Sequence, residues 1–197
     1  GRGRPNVFVD SLGGDVEAAM AAGKIIRDKK AWTFVRPNAN CASACTLLFL
    51  GGVVRYSFGR FGLHRPYSVA YSSSPAESKK SYDQINSAVK QYLLLMNIPD
   101  AVLSIMNTIP PSEVRWLTSR EKKELFVEGS DPVFDDENDS IYAKRLGISK
   151  QELYARRQKA DVICKLPAQV SRDDKVFTEQ VAQRSQCRQS IIEGKQK

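Results

Sequence analysis

The sequence predicts an α/β fold with a mostly parallel sheet, followed by a charged, mainly helical extension. Three observations predict it. From Asn6 to His64, short β-branched and aromatic runs alternate with apolar-periodic stretches, at the spacing of strand–helix–strand crossovers. Glycine pairs, Gly13-Gly14 and Gly51-Gly52, punctuate that alternation. Beyond Ser130 the strand-like runs stop and apolar residues thin out. The expected division is a first domain over 1–130 and an extension over 131–197.

Each element follows from local chemistry. Asn6-Val-Phe-Val-Asp10 reads as a buried strand bounded by Pro5 and the glycine turn. Asp15 to Lys30 reads as a helix, with Val16, Ala19, Met20, Gly23 and Ile26 at three- and four-residue spacing, its acid first and its lysines last. Ala31 to Val35 is a second strand, and Arg36-Pro37-Asn38 turns the chain. The nearly all-apolar run from Ser43 to Leu50 is a helix covered on most sides. Val53–Phe58 and Arg60–His64 are two more strands. A Ser-rich loop from Tyr67 leads into a long amphipathic helix, Ala76 to Met96, with Ile85, Val89, Tyr92, Leu93 and Met96 on one face. Another helix spans Asp100 to Asn107. Pro110-Pro111 ends it, Ser112 or Thr118 can cap short helices downstream, and Phe126-Val127 can form a last strand. The Asp-rich stretch to Asp139 reads as a surface loop, with helices from Ser140 to Ala160 and Thr178 to Ile192.

Bulk properties exclude several classes. The net charge of +8 is scattered and interleaved with acids, as in Arg120-Glu-Lys-Lys-Glu124, without a basic run bearing stacking aromatics. That footprint does not suit nucleic acid. No stretch approaches the ~18 apolar residues of a membrane span, and no signal peptide is visible. The opening Gly-Arg-Gly-Arg-Pro runs straight into a strand, so the natural N-terminus is expected upstream. Four cysteines, Cys41, Cys45, Cys164 and Cys187, allow three pairings. A crosslink between Cys164 and Cys187 would support an extension poor in core residues, which favours an oxidising, exported setting. Four reduced thiols remain the alternative.

Acyl transfer by serine needs a nucleophilic oxygen, a base within hydrogen-bond reach and two N–H donors for the oxyanion. Ser43 supplies the oxygen at a helix start, where the dipole favours negative charge. His64, the only histidine, is the only imidazole base available. Gly13 or Gly14, with no side chain to obstruct a carbonyl, and the Ala44 N–H are candidate oxyanion donors. Cys41 competes as a nucleophile, since a thiol at a helix N-terminus is activated; the plainer reading is that Cys41 and Cys45 are small buried residues or a local disulfide one helical turn apart. The Cys-x3-Cys spacing and the single histidine do not suit a closed zinc site, so no metal is expected. No cofactor is expected either, and no phosphate-binding Gly-x4-Gly-Lys-Ser/Thr motif occurs, so energy-driven unfolding would need another chain.

Ser11-Leu-Gly-Gly14, Cys41-Ala-Ser-Ala-Cys45 and Gly62-Leu-His-Arg-Pro66 resemble the three signature blocks of the Clp protease proteolytic subunit, within the Clp/crotonase superfamily. The Cys-x-Ser-x-Cys block is most similar to its predicted periplasmic relatives. The resemblance covers about Asn6 to Val127. It implies a ClpP/crotonase-like spiral of ββα units and a serine peptidase acting on a peptide or protein substrate. It also implies homo-oligomerisation through the long helix, and a first strand lying ahead of Asn6. It implies Ser43 as nucleophile, His64 as base, and Gly13 or Gly14 with Ala44 as oxyanion hole. The family's third residue, an aspartate, falls by position on Ser112, with Glu113 as the neighbour able to carry charge. A non-catalytic Clp-like scaffold or peptide-binding oligomer is the alternative that this departure opens. An acyl-CoA enzyme of the crotonase type, using the same paired N–H donors on a thioester, is the third reading.

Overall fold

The computed structural model describes residues 4–67, 74–165 and 174–195, which leaves most of the Ser-rich loop expected after Tyr67 outside the described residues. The chain forms two compact units, 1–134 and 135–197.

The first unit winds as a spiral. It opens with β1 (Asn6–Val9) and α1 (Val16–Asp28), then β2 (Trp32–Val35), β3 (Asn40–Ala42) and α2 (Ala44–Leu50). Next come β4 (Val54–Ser57), β5 (Arg60–Leu63) and the long α3 (Pro75–Leu95). Each turn lays one segment on each of two sheets and returns by a helix. β1, β2 and β4 pair in parallel in the first sheet. β3 and β5 pair in parallel in the second, which Ser11 extends through a parallel bridge to Cys41. This is a spiral of ββα units in an α/β architecture. α4 (Asp100–Thr108), β6 (Arg115–Trp116), α5 (Ser119–Glu124) and β7 (Gly129–Ser130) complete the turn, β6 antiparallel to β5 and β7 antiparallel to β4.

Caps and close packing explain where the helices begin and meet. Asp15 accepts from the Ala18 N–H at 2.7 Å, Ser74 caps α3 ahead of Pro75, and Thr118 and Glu121 form a reciprocal capping box on α5. α1 and α2 cross so tightly that a Cβ at Gly51 would lie 2.2 Å from the Gly23 carbonyl oxygen. Against them packs α3, whose Tyr92 hydroxyl donates to the Leu47 carbonyl at 2.7 Å inside the main hydrophobic cluster. Burial raises the Tyr92 hydroxyl pKa well above its ordinary value, so it stays a donor.

A buried charged network closes the unit. Arg27 pairs with Asp131 at 2.7 Å and donates to the Met96 carbonyl, while Asn97 donates to both Asp131 oxygens. Fully buried Arg55 donates to the carbonyls of Gly52 and Phe126. Burial, with the nearby Arg27 charge, lowers its pKa to about 10.

Several expectations are corrected. β1 is a strand but not a buried one: none of its four residues is buried, and Phe8 is 51% exposed. Phe126-Val127 is no strand. It is the unwinding end of α5, where Val127 N–H returns to the Lys122 carbonyl and Phe126 adopts φ 54°. The Asp-rich stretch is no loop: α6 (Pro132–Leu146) runs through it. Asp131 caps that helix by accepting from the N–H groups of Val133 and Phe134, ahead of Pro132 in its first turn. The single helix expected to Ala160 is broken at Gly147 (φ 67°), after which α7 (Lys150–Ile163) starts on a Ser149 cap.

The second unit holds the rest of α6, α7 and α8 (Asp174–Ile192). A Cys164–Cys187 disulfide joins α7 to α8, and Ala160, Cys164 and Ile191 form a small cluster beside it. Arg157 grips both Asp139 oxygens at 2.7 Å, tying α7 to α6. No helix among the described residues is long and apolar enough to cross a membrane.

Candidate active site

The three blocks converge on the second sheet. Ser11 N–H donates to the Asn40 carbonyl at 2.7 Å, and Ala42 N–H returns to the Ser11 carbonyl at 3.0 Å. One strand further, Ala42 registers with Gly62, and Ser43 N–H donates to the Gly62 carbonyl at 3.2 Å. Parallel pairing makes all three segments leave the sheet at the same end. Ser43 and His64 are therefore the first residues past neighbouring strand ends, and Gly13-Gly14 follow Ser11 after one intervening residue.

Ser43 is the least ordinary residue of the set. It holds φ 58° and ψ −132°, a region that non-glycine residues rarely occupy. Serine before a helix normally turns its hydroxyl inward to cap, as Ser74 and Ser149 do on α3 and α7. Ser43 makes no side-chain cap bond to α2. Its hydroxyl faces Gly13 instead: a Cβ added there would lie 2.6 Å from Ser43 Cβ and 2.9 Å from Ser43 Oγ. Only glycine fits, on grounds of space and of its φ of 128°.

Gly13 N–H donates to Ser11 Oγ at 3.2 Å. Gly14 differs, with nothing within 4 Å of a Cβ built on it and an exposed backbone. Ala44 is the first residue of α2, where backbone N–H groups lack intrahelical partners. A groove of about 480 Å³ between α1 and α3, with Val16, Met20, Ile85 and Ala88 on its walls, begins two residues after Gly14.

His64 is buried, with 6% of its surface exposed. Its Nδ1 lies 2.9 Å from the Arg65 carbonyl oxygen. A carbonyl only accepts, so this hydrogen bond puts a proton on Nδ1, and in the neutral ring Nε2 is then the acceptor nitrogen. Arg65 N–H is itself held by the Ile109 carbonyl at 2.9 Å. Ser112 and Glu113 are exposed in the loop between Ile109 and Arg115, whose two ends flank the histidine segment. The sequence gives no hint of the Arg65 carbonyl, because a main-chain acceptor leaves no residue-type signal.

Cys41 and Cys45 form a disulfide across Ser43, so the reading of Cys41 as a free nucleophilic thiol is corrected. Cys41 is fully buried and Cys45 nearly so.

No family model and no curated protein sequence matches the chain. Among solved structures, it aligns with a single-substitution mutant of ClpP1 from Listeria monocytogenes at TM-score 0.47 and 19% identity, covering 62% of this chain and 70% of that one. It also aligns with a mutant of the 1510-N membrane-bound stomatin-specific protease at TM-score 0.46 and 21% identity, covering 62% of each. The chain thus spans less than two thirds of that second protein.

Proposed function

We propose that the first domain is a Clp/crotonase-like serine peptidase that cleaves peptide bonds through an acyl-enzyme on Ser43. The observation that carries the reading is the Ser43 hydroxyl, withheld from helix capping and pressed against a side-chain-free turn. Ser43 Oγ attacks the scissile carbonyl and passes its proton to His64 Nε2, which returns it to the leaving amine. The oxyanion is received by the N–H of Ala44 and of a turn glycine. Gly14 suits this better than Gly13, whose N–H is engaged by Ser11. Each such donor is worth roughly 2.7–4 kcal/mol of transition-state stabilisation.

The Arg65 carbonyl takes the orienting role of the third residue. It holds the reactive tautomer, but as a neutral dipole it stabilises imidazolium less than a carboxylate would. Slow turnover is the expected consequence. Ser112 and Glu113, exposed in the neighbouring loop, take no part in this step. Both disulfides support an exported, oxidising location such as the periplasm, and self-association through α3 is carried over from the resemblance.

A fluorophosphonate probe tests this. Wild type should be labelled and Ser43→Ala and His64→Ala should not. The weak orienter also favours a second reading, an oligomer that binds peptides without cutting them. Peptide binding by a protein that the probe leaves untouched would establish that reading and remove the first.

A further inference from the structure

We infer that the Cys41–Cys45 disulfide is a positioning device for Ser43, a covalent ring that keeps the hydroxyl out of the helix cap and turned toward Gly13. The inference rests on the proposed role of Ser43 and adds to it.

The geometry is specific. The bond joins the middle residue of β3 to the first turn of α2, at a sequence separation of 4, with Ser43 midway between its ends. Continued as a strand, four residues would carry the chain about 13 Å. The two Cα atoms are 5.3 Å apart. The crosslink therefore forbids β3 from extending through Ser43 and obliges the chain to reverse within the ring.

Reversal alone would still permit ordinary capping, in which Ser43 relaxes to extended backbone and its hydroxyl accepts from an N–H of α2. Two further ties oppose that relaxation. Ser43 N–H is held by the Gly62 carbonyl, and the Ser43 carbonyl accepts from both the N–H and the hydroxyl of Thr46, at 3.0 and 2.6 Å. Those ties fix the two peptide planes of Ser43, and the ring fixes the chain on either side of them. A residue at positive φ persists only where its surroundings over-determine it. Cys41 and Cys45 are buried in the main hydrophobic cluster, so the ring cannot swing away from the sheet as a unit.

The test uses the full chain and the fluorophosphonate probe. In a Cys41→Ala/Cys45→Ala variant, the maximal labelling rate should fall about tenfold with the half-saturating probe concentration unchanged, as expected when a strained nucleophile loses its constraint. Cys164→Ala/Cys187→Ala should label as wild type does. Equal labelling of wild type and the Cys41/Cys45 variant would overturn the inference. If that variant does not fold, the Cys164→Ala/Cys187→Ala variant, whose remaining cysteines are those of the ring, is reduced with a water-soluble phosphine instead. A rate that falls on reduction and recovers on reoxidation, with the tryptophan emission maximum constant, supports the ring; an unchanged rate removes it. Should wild type resist the probe altogether, the peptidase reading fails separately. The ring is then read from the Ser43 three-bond HN–Hα coupling in oxidised and reduced protein. A coupling that keeps its positive-φ value after reduction overturns the inference, and one that changes supports it.

Discussion

Each of the two units carries one disulfide, and the two bonds sit in opposite surroundings. Cys41–Cys45 lies within a cluster that draws on α1, α2, α3 and α4, with Cys41 fully buried. Cys164–Cys187 lies in a unit whose described cluster amounts to Ala160, Cys164 and Ile191, with Cys187 and Ile192 against it. The first closes a ring over a separation of 4 residues, the second over 23. Chain entropy gives the small ring about 2 kcal/mol and the large one about 3.5 kcal/mol. The stronger stabiliser thus sits where the core is thin. The weaker one sits where the core needs no help, and its size resembles the roughly 1–3 kcal/mol that a strained residue costs. One bond substitutes for a core; the other sets a conformation.

This contrast can be broken or sharpened by denaturation, because both tryptophans, Trp32 and Trp116, belong to the first unit and report on it alone. The largest effect is predicted for Asp131→Ala, which strands Arg27 and Arg55 without their buried carboxylate. The loss should be about 3–5 kcal/mol in the tryptophan-detected urea transition. A smaller shift would mean that the apolar cluster dominates this unit even more than its network suggests.

The same carboxylate predicts an acid dependence. Burial alone would raise its pKa, but hydrogen bonds from Phe134 N–H, Asn97 and Arg27, with the Arg27 charge, hold it below the ordinary 3.8. Its contribution is therefore complete above pH 3.8 and fades as pH falls through the lower folded value. Asp131→Asn should flatten that part of the tryptophan-detected profile.

Next in size is Cys164→Ala/Cys187→Ala, predicted to lose about 3.5 kcal/mol in the helical far-ultraviolet signal while the tryptophan transition stays in place. A matching tryptophan shift would show that the units do not melt separately and would end the contrast. Cys41→Ala/Cys45→Ala should move the tryptophan transition by about 2 kcal/mol. Thr118→Ala, which removes the capping box of α5, should cost about 1 kcal/mol by the same readout.

The spiral was legible because its signals are local and strong. The β-branched and aromatic runs of β1, β2, β4 and β5, and the apolar periodicity of α1 and α3, each matched one element type. The placing of Gly13, Ser43 and His64 at one end of the second sheet followed from three motifs whose spacing suits parallel strands. Failures came where composition was read instead of position. Asp131-Pro132 is a helix-start signal, yet the density of aspartates after it suggested a loop. Phe126-Val127 looked like a strand by residue type, but the carbonyls of Lys122 and Lys123 had already claimed its N–H groups as a helix end. β3, only Asn40-Cys-Ala42, is too short to show a period at all.

The Arg65 carbonyl, finally, has a consequence for how this protein tolerates change. A main-chain acceptor has no codon of its own, so no point substitution deletes it, and under the proposed reading a mutational scan for a third essential side chain is expected to come back empty. Sensitivity would surface instead as altered backbone course, at Pro66 behind the histidine and at Ile109, whose carbonyl tethers the Arg65 amide. If the proposal holds, the imidazole would keep its alignment whatever the exposed loop of Ser112 and Glu113 carries.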